Sequence, residues 1–196
     1  MLAEWAYSHA KWLLAYVQAL WSLDNRLRAA TFASVQTVET HLRALIGYSL
    51  GAVDPLIHVK PELLSISKMH EYRLWSAKLA RKVKDSREDF VIHHRDNRKN
   101  VIPVWVAVDV LDWGGLSHLY SFMPIREREA VAGHFELSAA QLLSWLRALN
   151  TVRNVCVHHS RFFNRHYALS SFPPDTGLNF GALGMTEDWR TFHLWK

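Results

Sequence analysis

The first 46 residues contain neither glycine nor proline, and a stretch of that length without either breaker folds most readily as helix. Apolar residues recur through it at helical spacing: Leu13, Tyr16, Val17, Leu20, Leu23 and Leu27, then Phe32, Val35, Val38, Leu42, Leu45 and Ile46. The spacing predicts helix over 3–50. Ser22, Asp24 and Asn25 are residue types that cap a new helix start, so a bend or break is expected near them. Gly47 to Pro61, with Gly51, Asp54 and Pro55, reads as a connection.

Bulk composition narrows the class. At 196 residues the chain suits one domain with a real core, and 49% hydrophobic against 21% charged residues is globular rather than disordered or membrane composition. Glu4, His9, Lys11 and Gln18 interrupt the N-terminal apolar stretch, so neither a membrane span nor a signal peptide is expected. A net charge of +5, with 12 histidines in addition, leans mildly toward an anionic partner. The single cysteine, Cys156, excludes an internal disulfide, falls on a predicted apolar face and fits a reducing cytoplasm.

Further along, helical pattern resumes over 62–84, and eight lysines and arginines crowd positions 78–100 as a solvated face or a phosphate-contacting one. His93 and His94 adjoin each other without a Cys, Asp or Glu at ligand spacing, so no metal is assigned. Pro103 to Leu111 is rich enough in valine to be a strand. Ser117 reads as a capping residue with Leu116 and Leu119 packing inward, and a short helix is expected over 126–134. Ser138 with Gln141 forms a capping box that opens a helix. Pro173, Pro174, Gly177, Gly181 and Gly184 mark a loop-rich tail, with a short turn at Trp189 to Trp195.

The helix opened by that capping box carries the chemistry. Thr151 to Arg165 packs three arginines, two asparagines and two histidines with no acid. The stretch reads as one helical segment, and at about 100° per residue Arg147, Asn150, Asn154, His158, Arg161 and Arg165 fall within roughly 40° of one line, a basic stripe able to transfer protons. Leu142, Leu146, Leu149, Val152, Cys156 and Phe163 make the complementary seam.

The string Arg153-Asn-Val-Cys-Val-His158-His-Ser-Arg-Phe-Phe-Asn-Arg165 resembles the signature of the Abi-like (abortive infection) family of the HEPN superfamily. Leu20 to Arg28, Val38 to Arg43, Glu88 to His94, Pro103 to Asp109 and Trp113 to Tyr120 resemble further family elements, with Leu23, Asn25, Asp109 and Trp113 as departures. The resemblance covers roughly 20–172. It implies an all-α, HEPN-like helical bundle with a long N-terminal helix and short accessory helices, occupying 1–172 ahead of the 173–196 tail. It also places 103–120 on short helices rather than a strand.

For function, the resemblance implies a metal-independent endoribonuclease of a phage-defence or toxin–antitoxin system. Arg153, Asn154 and His158 would be its catalytic residues, with His159 as a competing histidine. Arg161, Arg165, Arg147, Glu39 and Arg43 would support them, Glu39 either through a helix-surface pair with Arg43 or by positioning Arg153. No cofactor is implied. Partners would be RNA, a second copy completing a composite active site, and an antitoxin or regulatory RNA. Histidine suits proton transfer near neutral pH and arginine suits a phosphorane's charge. Because Arg153 and His158 lie about 140° apart on an ideal helix, they converge only through reach, distortion or a second protomer. The alternative is a non-catalytic module whose basic stripe holds RNA or a protein partner.

Overall fold

The computed structural model describes residues 2–97 and 102–165. Among these it contains seven α-helices and no strand: α1 (Leu2–Val53), α2 (Met69–Asp85), α3 (Asp89–Asn97), α4 (Val104–Val110), α5 (Trp113–Phe122), α6 (Ile125–Gly133) and α7 (Ala139–Val157). The fold is all-α, with the long N-terminal helix expected. Two compact units divide the described residues. One joins the chain up to Glu39 with the chain from Leu149 onward, and the other comprises Thr40 to Ala148.

Two boundaries of α1 differ from expectation. The helix passes through Ser22, Asp24 and Asn25 without a break, and the Asp24 and Asn25 side chains are engaged elsewhere rather than capping a new start. It also continues through Gly47 and Gly51 to Val53, where a connection was expected. There the glycines serve a close approach. A Cβ on Gly47 would stand 3.3 Å from Trp105 Cα, and one on Gly51 would stand 3.1 Å from the Trp105 ring.

The Thr40–Ala148 unit holds a dense core. Leu42, Ile46 and Leu50, spaced one turn apart, are fully buried, as are Leu116, Leu119 and Tyr120. Arg43 extends from the same helix to donate to the carbonyls of Val108 and Leu111, satisfying the end of α4, where backbone acceptors lack helical partners. The buried Trp113 indole donates to Leu146 O at 2.7 Å, and Trp75 donates to Gly115 O at 2.9 Å. Tyr72, Trp75 and Phe122 meet edge-on or tilted between α2 and α5.

Elsewhere in this unit the details sort as follows. Residues 103–120 form helices, so the valine-rich strand alternative fails. Asp112, not Ser117, caps α5, accepting from the Gly115 amide at 2.7 Å, and Ser117 sits inside the helix. The helix expected from residue 62 starts only at Met69: Pro61–Leu63 is a short 3-10 turn, and the Ser65 amide donates to Phe122 O. The capping box is present, with the Ser138 amide donating to the Gln141 side chain at 2.8 Å and the Gln141 amide to Ser138 Oγ at 3.3 Å. In the basic 78–100 stretch, Lys82 and Lys78 flank Asp112 at 3.0 and 3.9 Å, and Arg81 pairs with Asp85. That stretch is therefore interleaved with carboxylates. Arg98, Lys99 and the tail with its Trp189 to Trp195 turn lie outside the described residues.

Candidate active site

The other unit is built from the first part of α1 and the end of α7. Val35, Val155 and Cys156 are buried in it. Burial pushes the Cys156 thiol pKa up, the direction of an inert core thiol rather than an activated nucleophile.

The segment expected to be one helix through Arg165 is not. α7 ends at Val157, where the His158 amide still donates to Asn154 O at 3.0 Å. His159 then adopts a left-handed φ of 50°, and the Ser160 amide turns back to Val155 O at 3.2 Å. This six-to-one bond across a left-handed residue is a Schellman closure, made here on histidine rather than glycine. A second left-handed residue follows at Asn164, with φ 50°.

The reason for the stop lies far upstream, on α1. Asp24 Oδ1 accepts from the amides of Phe162 and Phe163 at 2.8 and 2.6 Å. Arg28, held by Asn25 and by Asp24 at 3.5 Å, donates to Ser160 O at 3.1 Å. These bonds satisfy backbone groups that a continued helix would have satisfied internally. The Phe163 amide, then the Phe162 amide and the Arg28 and Arg161 guanidinium groups, hold Asp24 below the usual carboxylate range against the raising effect of burial.

The predicted residues are thereby redistributed. Asn154 and His158 are exposed and one turn apart, and His159 is exposed beside them. Arg153 is half-buried, and its Nε is buried with no hydrogen-bond partner among the described residues, so the expected pairing with Glu39 is not made through that atom. Glu39 is half-buried at the edge of this unit. Arg161 and Arg165 are exposed but beyond the helix, so the six-residue stripe does not continue past His158, and Phe163 leaves the apolar seam. Arg147 and Arg43 belong to the other unit, where Arg147 is exposed and Arg43 caps α4.

Asp24, Asn25 and Arg28 were missed as members of the site. Their signal was present, since the Leu20 to Arg28 element contains all three. Residue type alone assigned Asp24 and Asn25 to the caps of a helix break, and Arg28 was given no role in it.

One helix end of this all-α protein thus exposes an imidazole and an amide, is backed by a half-buried guanidinium and is followed by two exposed arginines. The chain belongs to the Abi-like protein family, whose sequence profile matches residues 4–164. That membership supports a part in phage defence by abortive infection. No curated protein and no solved structure matches the chain.

Proposed function

We propose that this chain is a metal-independent endoribonuclease of the HEPN superfamily, acting in abortive infection or in a toxin–antitoxin pair. The observation that carries this reading is the exposed Asn154–His158 pair, on a helix end locked by Asp24 and Arg28, next to the unpartnered Nε of Arg153. In the reaction, His158 takes the proton from a ribose 2′-hydroxyl. The freed oxygen attacks the adjacent phosphorus, and the bond to the 5′-oxygen breaks as that oxygen receives a proton. The products are a 2′,3′-cyclic phosphate and a 5′-hydroxyl. A second copy's imidazole supplies the departing oxygen's proton in the composite site. Arg153 offers N–H donors to the phosphorane, and Asn154 orients the ring or a phosphate oxygen.

The test uses purified wild type and His158→Ala with mixed single-stranded RNA, with and without EDTA, and with matching DNA. Cleavage of RNA alone, unchanged by EDTA and reduced about 10²–10⁴-fold in the variant, is the expected result. RNA binding by wild type without cleavage would favour the second reading, a binding module. The exposed Arg161 and Arg165 would suit that role equally well.

A further inference from the structure

The stop in α7 has no local cause. From His134 to Phe172 the chain contains neither glycine nor proline, so nothing in its own composition ends the helix at Val157. The turn that ends it is made on His159, a residue with a Cβ, in the left-handed conformation that glycine enters at least cost. What holds that turn is the pair Asp24 and Arg28, one helical turn apart on α1 and 3.5 Å from each other. The carboxylate accepts from the Phe162 and Phe163 amides, and the guanidinium donates to Ser160 O.

The consequence for the site follows from helix geometry. The His158 amide still bonds to Asn154 O, so the imidazole springs from the same face as Asn154, one turn further on. Side chains on a helix lean toward its N-terminus, and each covers the turn that precedes its own Cα. Were α7 to run on, Arg161 and Phe162, three and four residues beyond His158, would lie back over its ring. The turn at His159 sends both away. Arg161 is exposed beyond the helix, and Phe162 gives its amide to Asp24. His158 is left exposed, with no helical turn above it.

We infer that Asp24 and Arg28 are positioning residues for His158, holding the next stretch of chain off its imidazole. His159 is the left-handed residue that this turn needs, not a second proton carrier. The inference rests on the proposed cleavage at His158 and gives the two adjacent histidines unequal roles. Asp24 and Arg28 act only through the backbone of residues 160–163.

Two measurements on the purified full chain test it. The first follows modification by diethyl pyrocarbonate with peptide mass spectrometry that resolves His158 from His159. His158 should react more slowly in Asp24→Ala than in wild type, because the continued helix covers it. A folded Asp24→Ala whose His158 reacts at the wild-type rate overturns the inference. This readout needs no catalysis, so it decides the matter even if wild type cleaves no RNA. In the second, RNA cleavage by Asp24→Ala should lose about 10²-fold in kcat, the scale of a misplaced catalytic group, with KM nearly unchanged. Adding His159→Gly, which makes the left-handed turn without the anchor, should recover about tenfold of that loss. An unchanged kcat in Asp24→Ala overturns the inference. So does a double variant no better than Asp24→Ala, the result expected of a merely structural Asp24 or of a catalytic His159. Should Asp24→Ala fail to fold, Arg28→Gln, which removes the donor to Ser160 O, takes its place in both measurements with the same expected signs.

Discussion

His58, in the 3-10 turn Ile57–Val59, is 3% exposed, and its Nδ1 has no hydrogen-bond partner among the described residues. Burial lowers its pKa from 6.5 to about 4. The folded protein therefore keeps this ring neutral where the unfolded chain already binds a proton. Between pH 6.5 and about 4 unfolding takes up that proton, so stability falls as pH drops through this window and the contribution levels off below it. The shift corresponds to a loss on the order of 3 kcal/mol across the window. Denaturant unfolding at pH 7 and pH 4.5 should show the drop, and His58→Leu should show a smaller one. At the same scale, Asp24 shows what a sequence conceals. An Asp in a helical stretch reads as a cap, and nothing local reveals that its acceptors are taken by amides far along the chain.

Among the elements, α1 and α4 approach closely because Gly47 and Gly51 leave room for Trp105. Gly47→Leu inserts a side chain where even a Cβ stands 3.3 Å from Trp105 Cα and from Val108 Cγ2. Overpacking of this kind should destabilise by about 2 kcal/mol, read as a lower midpoint in urea at unchanged slope. Helix existence and type were legible in the sequence wherever periodicity was strong or a cap was explicit, as at Ser138 with Gln141. Ends set by tertiary contacts were not. The two glycines marked a loop by composition yet mark a helix crossing, and α7 stops at Val157 with no glycine or proline nearby because Asp24 and Arg28 hold the chain beyond it. The placement of Arg153, Asn154 and His158 at the end of one helix was legible. Its extension through Arg161 and Arg165 along one helix was not, because that line assumed a helix that turns away.

At the scale of the whole molecule, charge and chain order matter most. With a net charge of +5 and exposed Arg161 and Arg165, RNA affinity should fall steeply with salt. Removing either arginine should flatten the log–log salt slope by about 0.7, with little change in sequence preference. Fluorescence anisotropy against NaCl concentration measures it with His158→Ala as the host protein, so that cleavage does not intervene. The bonds from Asp24 to the Phe162 and Phe163 amides span 138 and 139 residues. At ordinary rates of synthesis, on the order of ten seconds separates the two ends of that contact. The anchored helix end therefore cannot form until nearly all of the chain has been made. For an enzyme whose proposed substrate is RNA, a nascent copy stays harmless to the transcript and the ribosome producing it through most of translation.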